Sequence, residues 1–354
     1  MTERPRLEAL DGLRFVAAMA VLAYHYTAIA HVWHRPATEV FPSQPFAHGW
    51  LGVQLFFLIS GFVICMSSWG RGVGSFLQSR AVRLYPAYWL SVLVIAAGLT
   101  VFPGLPWRPT TSDVLVNLTM FEDAVGVPEI ADVYWSLWAE VRFYLLFALL
   151  VWWGLTYRRV VAFCALWLAA TAAAKAFVPD VAVIQTVLTT DHAPLFTAGI
   201  GCYLMYRFRP TFATWAIVAA SFVLALPAVM HRNQLESKAG ELIPNGPVIV
   251  LLAVWFVLIV AVALGWLNWV RGRWLVTAGA VTYPLYLLHL DLGGALLYLF
   301  QWRVPPLLLV PMVTGVLILI AWLVHRYVER PLAPQLKRAL RRLGTRTREP
   351  VGRG

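Results

Sequence analysis

The sequence has few charged residues. Asp, Glu, Lys and Arg make up 13% of its 354 residues, whereas hydrophobic residues make up 60%. Ordinary globular domains have about 25% charged residues. A disordered chain or a water-soluble coiled coil needs more charge, and a soluble globule cannot bury this much apolar surface, so the composition excludes all three classes. The aromatic share of 14% suits the interfacial belts of a membrane protein.

Cysteine is also scarce. Cys65, Cys164 and Cys202 are the three cysteines, and each lies in an apolar stretch without CxxC spacing. They predict neither a disulfide framework nor a zinc site, and we expect them to be buried and reduced.

Several common catalytic motifs are missing. The sequence contains no G-x-S-x-G elbow, no P-loop, no H-E-x-x-H and no dinucleotide fingerprint, which excludes the enzyme classes that depend on them. His31, His34 and His48 lie in one predicted outer loop, but this spacing does not predict a metal site. We expect no metal and no permanently bound cofactor.

Long apolar runs dominate what is present. About 20 apolar residues cross a bilayer as a helix, and the sequence predicts an all-α, polytopic integral membrane protein with about ten transmembrane helices. The first run is too long for a signal-peptide core, so we interpret it as a retained span. We expect one domain over residues 1–333 and a disordered basic tail over 334–354. The predicted spans are 13–31, 50–69, 85–102, 135–154, 159–177, 193–207, 212–230, 247–266, 275–300 and 305–325.

The basic residues give an orientation. The formal net charge is +11, and most Lys and Arg residues fall in inner loops when the N-terminus is placed inside, as the positive-inside rule requires. The basic excess is therefore a topology signal, and no nucleic-acid partner is needed. We predict a multi-pass protein of the inner (cytoplasmic) membrane with both termini in the cytoplasm and an arginine-rich tail at anionic lipid.

The longest predicted outer loop covers residues 103–134 and is acidic. It carries Glu122, Asp123, Glu129 and Asp132. It either covers an external opening or is a solvated surface loop.

The first span carries a cation and an imidazole on one face. Arg14 and His25 are eleven positions apart, which returns to within about 20° of the same helix face and rises about 16.5 Å. A desolvated histidine stays neutral and accepts a proton. His25 is thus a candidate general base, and the alternative is a core histidine bonded to a neighbouring carbonyl.

Two further patterns lie around the first predicted inner loop. Arg80 and Arg83 are three positions apart, so on a helix they point the same way and suit phosphate; the alternative is that they only set orientation. The small pair Ser60 and Gly61 favours close helix approach.

The fourth span places Ser136, Glu140 and Tyr144 on one face. A carboxylate at the expected depth of Glu140 could orient the His25 imidazole, or it could pair with an arginine. In the ninth span, Pro284 predicts a kink. Tyr286 and His289 share a face there, and we favour a structural hydrogen bond for His289. Glu329 is expected to be an ion-pair partner.

Together and in this order, these patterns resemble the acyltransferase family 3 of bacterial membrane O-acyltransferases. The resemblance runs from Leu10 to Pro331, and no single motif is specific. The matching patterns are Arg14 with His25, Phe56-Phe57-x-x-Ser60-Gly61-Phe62, Arg80-x-x-Arg83-x-Tyr85-Pro86, Trp135-Ser136-Leu137-x-x-Glu140, Phe196-x-x-Gly199 and Thr282-Tyr283-x-x-Tyr286-x-x-His289.

The resemblance implies ten spans, cytoplasmic acyl-CoA (acetyl-CoA above all) as donor, and a hydroxyl of a glycan, glycolipid or macrolide as acceptor. It also implies that His25 is catalytic. Thr282 stands where serine is common, and no hydrolase-like domain follows the last span, so we expect no acyl relay through a fused domain.

We therefore predict His25 and Glu140 as catalytic residues and Arg14, Arg80 and Arg83 as the acyl-CoA site. The main alternative function is a transporter or flippase for a lipid-linked sugar or small molecule. The residues predicted to contact substrate or support the site are Ser60, Tyr85, Trp135, Ser136, Tyr144, Tyr283, Tyr286 and His289.

Overall fold

The computed structural model describes residues 7–28, 46–101, 108–236 and 244–346, with side chains described as far as residue 342. All secondary structure in these residues is helical. His31, His34, the end of the first predicted span and the last eight tail residues lie outside them. The α-helices are α1 Glu8–Ala23, α2 Gly52–Ser68, α3 Val73–Val101, α4 Thr111–Asn117, α5 Tyr134–Trp153, α6 Tyr157–Phe177, α7 Ala182–Leu188, α8 Ala193–Phe208, α9 Phe212–Glu236, α10 Asn245–Ala263, α11 Arg273–Leu288, α12 Asp291–Phe300, α13 Pro306–Val324 and α14 Arg330–Arg346.

The protein is an all-α polytopic membrane protein. Within the described residues, seven helices are long and apolar enough to cross a bilayer, and a bent pair, α11 with α12, makes an eighth. The seven begin at Gly49, Val73, Tyr134, Tyr157, Phe212, Asn245 and Pro306.

The first and the sixth of the ten predicted spans are not among these candidates. The α-helical parts of α1 and α8 have 16 residues each, against the roughly 20 that a span needs. Helix α1 continues as a π-helical turn, Tyr24–Ala28. Helix α8 is buried on all sides from Ala193 to Met205 and lies among α2, α6, α9 and α10. The count of ten spans therefore stays a prediction.

Helices α2 and α8 touch backbone to backbone. A Cβ added at Gly61 would lie 2.0 Å from the carbonyl oxygen of Phe196, and one added at Gly199 would lie 2.0 Å from that of Leu58. Only glycine permits this distance, which is the close approach that the Ser60-Gly61 pair predicts.

Part of the acidic segment before α5 packs against the helices. The Tyr85 hydroxyl donates to the Thr119 carbonyl over 2.7 Å, and the Tyr88 hydroxyl donates to the Glu122 carboxylate over 3.1 Å. Glu122 is buried. Tyr85 therefore anchors this segment.

Two expectations about the C-terminal third need correction. The bend falls after α11, where α12 turns by 70°, and not at Pro284, which lies inside α11. At the bend, the His289 Nδ1 is 2.7 Å from the Tyr286 carbonyl oxygen. In a continuous α-helix that oxygen would instead accept a hydrogen bond from the Leu290 amide.

The tail from residue 334 also differs from expectation, because α14 continues as helix to Arg346. The Gln78 amide donates to the Lys337 carbonyl over 2.9 Å, and α14 packs against α3. The three cysteines are buried and free, as expected.

Candidate active site

His25 lies in the π-helical turn that ends α1. Such turns arise mostly as single insertions in α-helices and often mark functional positions. The Thr27 hydroxyl donates to the Ala23 carbonyl over 2.7 Å, and the Tyr26 hydroxyl donates to the His289 carbonyl over 2.5 Å. The turn therefore fixes His25 against the bend between α11 and α12.

His289 is the ring that His25 contacts there. Their ring centroids are 5.2 Å apart. Because the Tyr286 carbonyl can only accept, the His289 Nδ1 beside it carries the proton, and Nε2 of the neutral ring is an acceptor. His289 is buried and its Nε2 has no hydrogen-bond partner in the described part of the chain. His289 thus makes the structural hydrogen bond that the sequence favours, and it also contacts the candidate base.

Three arginines converge on one cavity of about 110 Å³, although they come from two helices. We call it the arginine cavity after Arg14 of α1 and Arg80 and Arg83 of α3. Six other predicted site residues line it: Ser60, Ser136, Glu140, Tyr144, Tyr283 and Tyr286.

The arginines differ in their partners. Arg14 lies 3.8 Å from Asp11, and Arg83 lies 3.5 Å from Glu329, which confirms Glu329 as an ion-pair residue. Arg80 has no carboxylate within ion-pair distance among the described residues; its Nη2 is 3.4 Å from the Ser67 hydroxyl. Arg80 is therefore the cation most available to an added anion.

Tyrosine rings line the same cationic wall. The guanidinium of Arg80 lies 6.0 Å from the ring centre of Tyr144, and that of Arg83 lies 5.4 Å from the ring centre of Tyr283. The Tyr283 hydroxyl donates to the Leu84 carbonyl over 3.1 Å. These rings fix the direction of the arginine side chains.

Glu140 lies with the arginines and not with His25. The Ser60 hydroxyl donates to its carboxylate, the Tyr144 hydroxyl is within hydrogen-bonding reach, and Arg14 is close enough to interact electrostatically. The sequence analysis predicted a contact between Glu140 and His25. That contact is absent from the described residues, because α5 presents Glu140 to α2 and the arginine cavity.

His25 lines a second cavity, of about 680 Å³. We call it the histidine cavity; of the other predicted residues, Trp135 and Tyr286 also line it. Val53 and Tyr286 belong to both cavities. The Tyr286 and Ser136 hydroxyls are hydrogen-bonded over 2.8 Å, which holds this shared wall in place.

Sequence reasoning missed several residues of the histidine cavity. Trp50, Gln54, His192, Arg232 and Glu236 line it. Gln54 is a polar residue within an apolar span, and this signal could have identified it. Arg232 and Glu236 could not be identified in this way, because they lie at the polar end of α9.

The sequence matches the family model described as acyltransferase domain (Acyl_transf_3) over residues 7–326. The chain belongs to the acyltransferase 3 family. Members of this family transfer acyl groups other than aminoacyl groups, so the chain is an acyltransferase and not the transporter that the sequence analysis kept as the alternative.

Relatives within this family differ in how much of the chain they cover. Acyltransferase MdmB of Streptomyces mycarofaciens is 27% identical over 92% of this chain and 91% of its own length. Exopolysaccharide production protein ExoZ of Rhizobium meliloti is 35% identical over 29% of this chain and 34% of its own. Peptidoglycan O-acetyltransferase OatA of Listeria monocytogenes is 26% identical over 40% of this chain and 24% of its own. No solved structure matches the chain.

Both cavities lie within the part of the chain that matches the acyltransferase 3 family, since every residue named in them falls between positions 7 and 326. Glu329, the partner of Arg83, lies just beyond that range.

Proposed function

We propose that this acyltransferase moves an acyl group, acetyl above all, from acyl-CoA to a hydroxyl of a glycan, glycolipid or macrolide. The observation that carries the proposal is the shared wall of the two cavities. One cavity holds three arginines, the other holds His25, and Val53 and Tyr286 line both. An anionic donor and a hydroxylated acceptor can therefore approach the same point from different sides.

The arginine cavity suits the donor. Guanidinium groups bind phosphate in a fork geometry, and the Arg83 side chain is 40% exposed, so it can meet a charged headgroup at the surface. At about 110 Å³ this cavity is the smaller of the two. In this scheme the headgroup stays at the mouth, and the narrow pantetheine arm carries the thioester past Tyr286.

His25 supplies the base. It takes the proton of the acceptor hydroxyl while the oxygen attacks the thioester carbonyl carbon. The new C–O bond forms, the C–S bond breaks, and the imidazolium returns the proton to the departing CoA thiolate. The products are the O-acyl ester and the CoA thiol, and no other reactant is needed. General-base assistance of this kind contributes about 10²–10⁴-fold.

Glu140 acts on the donor side of this scheme. Its carboxylate balances part of the arginine charge and holds the Ser60 hydroxyl. Tyr286, held by Ser136, separates the two cavities, and His289 positions the His25 ring.

The scheme assigns each cavity to one side of the membrane. We place the arginine cavity and both termini on the cytoplasmic side of the inner membrane, where acyl-CoA is made, and the histidine cavity toward the outer side. Helix α14 carries leucines along one side and several basic residues, which suits the surface of anionic lipid.

A purified-protein assay tests the function. The enzyme in detergent or nanodiscs is given acetyl-CoA or longer acyl-CoAs with glycosides or macrolides, and free CoA and the acceptor mass are followed. The expected result is CoA release that depends on the acceptor, with the acceptor gaining one acyl group. Acceptor-independent CoA release alone, or no release with any donor, would contradict the proposal.

Arg80→Gln is expected to raise the KM for acyl-CoA by about 10–100-fold with a much smaller change in kcat, since a hydrogen bond to a charged group contributes about 1.5–3 kcal/mol. Initial rates at several donor concentrations measure it. Arg71→Gln is the matched control, because Arg71 is an exposed arginine of the preceding loop that lines neither cavity. An unchanged donor KM in Arg80→Gln would remove Arg80 from the donor site.

A further inference from the structure

The histidine cavity is lined by four carboxylates, two of which are already paired. Asp191 lies 2.5 Å from Lys175, and Glu236 lies 2.5 Å from Arg232. The Tyr24 hydroxyl also donates to Glu236. These two acids are satisfied without a ligand.

Glu129 and Asp132 are different. Both line the cavity from the segment before α5, and neither has a cation within ion-pair distance among the described residues. The Glu129 carboxylate accepts a hydrogen bond from the Trp135 amide, while burial and the nearby Glu122, Asp123 and Asp132 raise its pKa to about 8. A cation beside Glu129 would oppose this rise in its pKa and favour the ionised carboxylate.

A second observation concerns uncharged polar groups that line the same cavity. Gln54 and Trp50 line the cavity and are each 5% exposed. Oε1 of Gln54 and Nε1 of Trp50 have no hydrogen-bond partner in the described part of the chain. An unpaired buried polar group is unfavourable, so an acceptor oxygen for the indole N–H and a hydroxyl for the amide oxygen would both be stabilising.

The size and walls of the cavity suit a sugar-sized ligand. Its volume of about 680 Å³ lies within the roughly 300–1,000 Å³ of small-molecule sites. Tyr24 and Trp50 supply aromatic surface, on which both sugar rings and cations pack, whereas the Trp135 ring already carries the Arg232 guanidinium at 5.6 Å.

We propose that the acceptor carries a basic nitrogen near the hydroxyl that is acylated, as in an amino sugar. Glu129 and Asp132 bind its ammonium group, while Gln54 and Trp50 bind its hydroxyl oxygens. The inference rests on the proposed function, and it names the acceptor class for the same site.

The arrangement also directs the chemistry. An amine held as ammonium between carboxylates has no lone pair to attack the thioester. The neighbouring hydroxyl, whose proton His25 can take, remains the nucleophile. The product is then an ester of an amino sugar and not an amide.

Binding without donor tests the proposal directly. Three glycosides are titrated into the nanodisc-embedded enzyme by calorimetry at neutral pH: methyl β-glucosaminide, methyl β-glucoside and methyl N-acetyl-β-glucosaminide. The expected result is at least about tenfold tighter binding of the glucosaminide than of the two neutral glycosides, as one charged hydrogen bond predicts. Equal affinity for all three would overturn the proposal.

Substitutions then assign the preference to residues. The double variant Glu129→Gln with Asp132→Asn is expected to bind all three glycosides alike. Asp180→Asn, which removes an exposed acid that lines neither cavity, should keep the preference. Gln54→Leu should weaken all three equally. A preference that survives the double variant would overturn the assignment.

Because this titration needs no acyl donor, its outcome is independent of the transfer assay. An enzyme that acylates neutral glycosides as readily as the glucosaminide would contradict the inference and leave the proposed function standing. Tight glucosaminide binding with no acyl transfer would contradict the proposed function alone.

Discussion

His25→Asn is expected to lower kcat for acyl transfer by about 10²–10⁴-fold, the contribution of a general base, while the protein remains folded. Asparagine keeps a polar group in the π-helical turn but cannot accept the proton of the acceptor hydroxyl. The turn itself is held by Tyr26 and Thr27, so its geometry does not depend on the imidazole. The measurement is acceptor-dependent CoA release at saturating donor and acceptor.

Two controls separate chemistry from folding. Size-exclusion profile and thermal unfolding of His25→Asn should match those of the wild type. His48→Asn removes a half-buried histidine that lines neither cavity and should retain wild-type kcat. If His25→Asn transfers at the wild-type rate, another group is the base.

The convergence of the arginines could be predicted from the sequence. Arg14 precedes the apolar part of α1, and Arg80 and Arg83 follow the loop after α2, so alternation of spans places all three at the same end of the bundle. The topology of the spans can be predicted from hydropathy and loop charge alone, and both can be read from the sequence. The sequence therefore predicts that the three arginines lie together, without knowledge of any contact.

The partner of Glu140 could not be predicted in the same way. Depth along a helix follows from the rise per residue, but the neighbour of a side chain depends on how helices rotate about their axes. The Ser60 hydroxyl of α2 donates a hydrogen bond to the Glu140 carboxylate. The Tyr144 hydroxyl, one turn further along α5, is within hydrogen-bonding reach of it. Counting from one helix end predicts the depth of Glu140, but it does not predict that Ser136, Glu140 and Tyr144 all face the arginine cavity.

The bend at His289 and the π-helical turn at His25 contact each other, which only the structure reveals. The Tyr26 hydroxyl bonds the His289 carbonyl, and a Cβ at Gly293 would lie 1.8 Å from the same hydroxyl oxygen. Each irregular segment therefore fits the other. Periodicity describes one helix at a time, so Pro284 was the only visible signal for a break, and the break occurs elsewhere.

Gly61→Ala is expected to destabilise the protein strongly. Its Cβ would lie 2.0 Å from the Phe196 carbonyl oxygen and 2.8 Å from the carbonyl carbon. Both atoms belong to the backbone of α8, so no side chain can rotate away, and α2 must separate from α8. Overpacking typically costs about 1–3 kcal/mol and more where the contact is rigid.

The separation would also reach both cavities. Ser60 of the arginine cavity is the neighbour of Gly61, and Gln54 of the histidine cavity lies on the same helix. We expect a lower Tm in nanodiscs, less monodisperse protein and reduced transfer.

Gly98→Ala is the matched control, because no atom lies within 4 Å of its added Cβ. In the interior of α3, alanine is favoured over glycine by up to about 1 kcal/mol, so this variant should unfold at the wild-type temperature or above. A Gly61→Ala protein with wild-type Tm would show that α2 and α8 are not in backbone contact.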